Sequence, residues 1–88
     1  MLTIDDLNVD DKNTYINKVI CGDSIEVMKK IPKNFIHLII TSPPYNVGIP
    51  YDNYHDLLPY KEYLDFLENA WRACYEVLVP GGRICINV

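Results

Sequence analysis

The sequence predicts an α/β chain in which parallel strands alternate with helices. Apolar, β-branched runs at residues 19–21, 35–40 and 83–88 are separated by stretches whose apolar residues have helical spacing, giving the order strand, helix, strand, helix, strand. The middle run is apolar nearly throughout, as expected of a strand covered on both faces. Each intervening stretch is long enough to hold a crossover helix, which parallel pairing requires. Of the 88 residues, 49% are hydrophobic, 23% charged and 11% aromatic, which excludes a disordered tail, a collagen-like repeat or a low-complexity linker.

Residues 1–14 are rich in Asp and Asn and predict a loosely ordered polar leader, with one turn around Ile4 and Leu7. The globular portion is expected to run from 15 to 88. Val19-Ile20-Cys21, bounded by Gly22, reads as the first strand. Asp23 or Ser24 then supplies a helix N-cap, with Glu26 three residues after Asp23 as in a capping box. Ile25, Met28 and Ile31 form that helix's apolar face, and Pro32 stops it. Phe35 to Ile40 is the second strand. Residues 42–59 contain Pro43, Pro44, Gly48, Pro50 and Pro59 and predict a long loop, a length that in compact domains usually signals function or disorder. In the second helix Tyr60, Tyr63, Leu64, Leu67, Trp71, Cys74 and Leu78 fall on one side, with Lys61, Glu62, Asp65, Glu68, Asn69, Arg72 and Glu76 on the other. It is expected to end at Pro80-Gly81-Gly82. Arg83 to Val88 then alternates into a third strand, with Ile84, Ile86 and Val88 on one face. The chain stops inside that strand, which predicts an incomplete sheet.

Several function classes are disfavoured. A net charge of −4 argues against nonspecific nucleic-acid binding by these residues alone, although a basic surface elsewhere in a larger protein would change that. No apolar run approaches the roughly 20 residues that span a bilayer. Asp5, Asp6, Asp10 and Asp11 replace the basic-then-apolar start of a secretory signal, so the expectation is a soluble, cytoplasmic chain with no membrane partner. Cys21, Cys74 and Cys85 match no zinc or redox spacing and read as buried free thiols. Asp52, His55 and Asp56 read as a solvated loop and His37 as a core or edge histidine, so no metal site is expected. Lys29, Lys30 and Lys33 read as a solvated helix end.

The chemistry is expected at Thr41-Ser42-Pro43-Pro44-Tyr45, directly after the second strand. Ligand sites in open α/β sheets form beyond the carboxyl ends of strands. Two prolines fix the backbone and remove amide donors, leaving the Ser42 and Pro43 carbonyls open as acceptors. Ser42 adds a hydroxyl and Tyr45 a flat ring that can stack on a planar group. A rigid row of acceptors beside an aromatic plate suits a flat heterocycle carrying an amino group. The same residues also fit a strand-ending Pro-Pro turn with Tyr45 packed into the core.

Thr-Ser-Pro-Pro-Tyr-Asn at 41–46 resembles the catalytic motif of the amino-group DNA methyltransferases, which methylate the exocyclic nitrogen of cytosine (N4) or adenine (N6). Cys21-Gly22-Asp23-Ser24 upstream and Leu78-Val79-Pro80-Gly81-Gly82 downstream agree with it in order and spacing, so the resemblance covers roughly residues 15–88. Only Gly22 is glycine among the forty residues before Thr41. The arrangement is therefore similar to the subgroup whose catalytic blocks precede the Phe-x-Gly-x-Gly cofactor loop. Ser42 in place of Asp is the commoner form among cytosine-N4 enzymes, although adenine enzymes also use it.

What the resemblance implies is part of a Rossmann-like, S-adenosylmethionine-dependent methyltransferase sheet. The target base is flipped out of DNA, because its amino group cannot be reached inside the stack. Ser42 and the Pro43 carbonyl hydrogen-bond that amino group, Pro44 stiffens the turn, and Tyr45 stacks on the base. The nitrogen attacks the methyl group directly, and no Pro-Cys pair is present to act as a carbon-5 nucleophile. Asp23 contacts the adenine end of the cofactor, against its simpler reading as a helix cap. In the family sheet two strands of the cofactor half lie between the strand ending at Asp23 and the strand ending at Ser42. The glycine-rich loop then belongs to a second chain or a further segment. The expected function is site-specific DNA methylation in a restriction-modification system; an RNA or protein amino-methyltransferase and an inactive, non-enzymatic remnant are the alternatives.

Overall fold

A computed structural model of the chain describes residues 1–8, 10–48, 50 and 57–88. In order, the elements are β1 (Leu2–Thr3), single 3-10 turns at Ile4–Asp6 and Lys12–Tyr15, β2 (Ile20–Cys21), α1 (Ser24–Lys30), β3 (Ile36–Thr41), α2 (Tyr60–Val77) and β4 (Leu78–Ile86). The mixed α/β architecture holds, and both observed pairings, β1 with β2 and β3 with β4, are parallel. They form two separate two-stranded sheets, so β2 does not pair with β3.

The polar leader supplies a strand that its composition concealed. Two residues of β1 are too few to show alternation, and they gain order only by pairing Leu2 with Ile20 and Thr3 with Cys21. The turn around Ile4 follows as expected, held by the Asp6 carboxylate, which accepts from the Thr3 amide at 2.8 Å and the Thr3 hydroxyl at 3.1 Å. Those two bonds hold the Asp6 carboxyl below its ordinary pKa. The second turn is fastened to α1 by Tyr15, whose hydroxyl donates to the Lys30 carbonyl at 2.7 Å. The Tyr15 ring meets Phe35 edge-on at 6.1 Å between centroids.

Asp23 caps α1. Its Oδ1 accepts from the Ile25 amide at 3.0 Å and the Glu26 amide at 3.1 Å. Glu26 turns away to pair with Lys29 at 3.1 Å. α1 packs on α2 through Val27, which with Cys74 and Val77 makes up the buried hydrophobic core among the described residues. The most buried of these is Val77 at 2% exposure, outside the stripe that periodicity selected. Tyr60 and Leu64 of that stripe are exposed. α2 has apolar residues around more than one side; Cys74 meets Met28 of α1 at 3.8 Å between sulfurs, and Phe66, Ala73 and Val77 line the groove between the two helices.

α2 ends three residues earlier than its Pro-Gly-Gly signal suggests, because Leu78 already pairs with Ile36. The ladder resumes at Leu38 with Arg83, so Val79 to Gly82 bulge opposite His37. Gly82 is required there: a Cβ would lie 2.9 Å from the Val79 carbonyl oxygen and 3.3 Å from that of His37. From this point Ile39, Ile40 and Thr41 pair with Ile84, Cys85 and Ile86.

β3 is not covered on both faces by this chain. Leu38 is 52% and Ile40 73% exposed, on the same side of the sheet as Cys85. Nor are all three cysteines buried: Cys74 is, whereas Cys21 and Cys85 are exposed. Cys21 stands on the two-residue β2, and Cys85 lies near the end of β4 on the face that leaves Leu38 and Ile40 exposed. The accessible surface is 6659 Å², against about 5,300 Å² for a self-contained domain of this mass. No helix among the described residues is long and apolar enough to cross a membrane.

Candidate active site at the carboxyl end of β3

Register builds the site. Thr41 pairs with Ile86, and the Asn87 amide continues the ladder by donating to the Thr41 carbonyl at 2.9 Å. The next residue of β3 is Ser42, so Ser42 and Asn87 stand side by side at the carboxyl ends of two parallel strands. Their side chains share a face because alternation carries both to the same side. The Asn87 side-chain amide donates to Ser42 Oγ at 3.2 Å.

The following residues are fastened one by one. Tyr45 donates its hydroxyl to the Asn87 carbonyl at 2.9 Å, which tethers the far edge of the ring and leaves the residue 44% exposed. Tyr45 is therefore not packed into a core. Tyr63, one turn into α2, donates to the Pro44 carbonyl at 2.6 Å. Asn46 adopts a left-handed backbone, φ 61°, which Asn tolerates better than most residues. Its side chain grips Leu58 twice, accepting from the amide at 2.6 Å and donating to the carbonyl at 2.9 Å. That clamp holds residue 46 against residue 58, just before α2.

Two acceptors remain open. Neither the Ser42 nor the Pro43 carbonyl receives a hydrogen bond from a described residue, while the flanking Thr41 and Pro44 carbonyls are both taken. Ser42 Oγ keeps one lone pair beyond that occupied by Asn87. The motif thus presents a row of acceptors beside the edge of a tethered aromatic ring. It can hold a planar molecule bearing an amino group.

Asp23 stands apart, at the end of β2. Oδ1 is engaged by the cap, and Oδ2 has no partner among the described residues. A groove of about 840 Å³ between α1 and α2 includes Asp23, Met28, Phe66 and Val77 in its lining but no residue of the motif. It is the gap left where two helices meet over a thin core, and no acceptor row opens into it. Lys29 and Lys33, on its rim, pair with Glu26 and with Glu76 at 3.2 Å, as a solvated helix end would. His37 is exposed on β3. Asp52, His55 and Asp56 lie outside the described residues, and no cluster suited to a metal ion occurs among those described.

Residues 36–88, from the start of β3 through the motif to the end of the chain, match the DNA methylase family. The chain belongs to that family. Among the relatives it resembles, the Type II methyltransferase M.MjaVI of Methanocaldococcus jannaschii is 45% identical over 58 residues, 66% of this chain and 30% of that protein. The Type II methyltransferase M.HpaI of Haemophilus parainfluenzae is 42% identical over 69 residues, 78% of this chain and 22% of the relative. The DNA adenine methyltransferase YhdJ of Escherichia coli K12 is 32% identical over 68 residues, 77% and 23% of the two chains. The chain spans less than a third of the length of these relatives.

Sequence reasoning singled out Thr41 to Tyr45 but not Tyr63 and Asn87, two of the residues that hold them. Tyr63 falls within the apolar stripe of the second helix, and alternation places Asn87 on the strand face opposite Ile84, Ile86 and Val88; neither pattern marks a support of the motif. The signal for Asn87 was its place in the third strand. Without the bulge at Val79 to Gly82, no register could be drawn to set it beside Ser42.

Proposed function

We propose that the chain is the catalytic portion of a site-specific DNA methyltransferase of a restriction-modification system. It acts within a Rossmann-like sheet to which residues 15–88 contribute. The reaction moves a methyl group from S-adenosylmethionine to the exocyclic amino group of cytosine (N4) or adenine (N6), with Ser42 favouring cytosine. The observation that carries this reading is the open Pro43 carbonyl beside Ser42 Oγ and Tyr45, in a chain of the DNA methylase family.

A target base flipped from duplex DNA would lie against Tyr45. Unstacking costs a few kcal/mol, and stacking on an aromatic side chain returns about 1–3 kcal/mol of it. Ser42 Oγ and the Pro43 carbonyl accept hydrogen bonds from the amino group, which shifts electron density onto its nitrogen and directs that nitrogen's lone pair outward. Pro44 keeps these acceptors rigid, its own carbonyl being held by Tyr63. Asp23 fits a role toward the donor, because Oδ2 is unpartnered while Oδ1 keeps the helix capped. When bound, S-adenosylmethionine supplies an electrophilic methyl group. The glycine-rich loop for it would come from a further segment or a second chain, so the 88 residues alone are expected to be inactive.

The test is methyl transfer to duplex DNA by the complete enzyme, meaning this chain together with the polypeptide that carries the cofactor loop. Ser42→Ala and Tyr45→Ala should each lower the rate at least about tenfold, in line with the loss of a polar contact or a stacked base. Activity within that margin would refute the assignment. DNA is preferred over RNA or peptide because the relatives are named as DNA methyltransferases, and competition among the three substrates checks it. Digestion of the product to nucleosides separates N4-methylcytosine from N6-methyladenine.

A further inference from the structure

Asn87 touches three residues of the motif in three ways. Its backbone amide donates to Thr41, its backbone carbonyl accepts from Tyr45, and its side-chain amide donates to Ser42 Oγ. The first two bonds belong to the backbone and would survive any ordinary substitution. Only the third, at 3.2 Å, depends on the side chain being Asn. Among the described residues the polar side chain therefore has one hydrogen bond, and its partner is the hydroxyl at the head of the acceptor row.

We propose that Asn87 is the positioning residue for Ser42: its side-chain amide selects the hydroxyl rotamer that turns a lone pair toward the substrate amino group. The inference rests on the methyltransferase reading. An unrestrained serine divides itself among three staggered rotamers, of which one faces the neighbouring strand. A serine oxygen has two lone pairs and one proton. The donor from Asn87 takes one lone pair and leaves the other open beside the Pro43 carbonyl. Thr41 and Tyr45 are held by the same residue's backbone, so the acceptor row and the stacking ring are fixed from a single point.

The experiment compares Asn87→Leu, which approximates the shape and cannot hydrogen-bond, with Asn87→Asp, which grips the Ser42 hydroxyl from the acceptor side. Both are measured in the complete enzyme against duplex DNA. Asn87→Leu should lower kcat about five- to tenfold, with KM for DNA and for the methyl donor within about twofold of wild type. Asn87→Asp should restore kcat to within about threefold. In a Ser42→Ala background Asn87→Leu should have no further effect, because the two residues act through one bond. An unchanged kcat in Asn87→Leu, an Asp variant no better than Leu, or additive losses in the double variant would each overturn the inference. Wild-type enzyme inactive on DNA would instead bring down the methyltransferase reading, and this inference with it.

Discussion

Tyr63→Phe removes one oxygen from the chain and leaves the ring where it is. That oxygen donates to the Pro44 carbonyl at 2.6 Å, the contact by which α2 holds the middle of the motif. A neutral hydrogen bond contributes about 0.5–1.5 kcal/mol net, and an acceptor left wholly without a partner costs about 1–3 kcal/mol. Pro44 is only partly buried, so water can reach its carbonyl and recover some of the loss. The expected destabilisation is therefore about 1–2 kcal/mol, which for a chain of this size lowers the melting temperature by roughly 4–16 °C. The assay is thermal unfolding followed by circular dichroism, with Tyr75→Phe as the control. Tyr75 is 78% exposed on the same helix, and its hydroxyl has no hydrogen bond among the described residues. Its loss should change stability by less than about 0.5 kcal/mol. A Tyr63→Phe variant that melts with Tyr75→Phe would show that the bond does not anchor the motif.

Gly82→Ala places a methyl group 2.9 Å from the Val79 carbonyl oxygen, and because backbone must move to admit it, a loss of about 1–3 kcal/mol is expected by urea unfolding. Asp23→Ala should cost about 0.5–2 kcal/mol through the lost cap, whereas Asp23→Asn keeps the cap; weaker binding of S-adenosylmethionine by the Asn variant of the complete enzyme, without a change in melting, would mark the second role. Burial pushes the Cys74 thiol above its ordinary pKa, so less of it is thiolate near pH 8. In the native chain Cys21 and Cys85 should react quickly with a disulfide reagent and Cys74 only after denaturant is added, as peptide mapping of the labelled sites will show.

Local chemistry was legible from the residues alone. Asp23 announced a cap and caps α1, since an N-cap needs only a side chain and amides two and three residues away. The parallel α/β order followed from periods of two and about 3.6. Thr41-Ser42-Pro43-Pro44-Tyr45 could be marked as a rigid row of acceptors, because proline removes donors wherever it stands. The parts that were not legible depend on contacts distant in the chain. Leu2 and Thr3 become a strand only beside Ile20 and Cys21, and Val77 becomes core only where α1 lies over it. Asn87 meets Ser42 forty-five residues away because a bulge around Gly82 sets the register, and Tyr63 meets Pro44 because α2 begins just after the Asn46–Leu58 clamp. Which residues are proposed to carry the chemistry was thus written locally, in residue type and spacing. How they are held was decided by strand register and helix contact, which residue type and spacing do not encode.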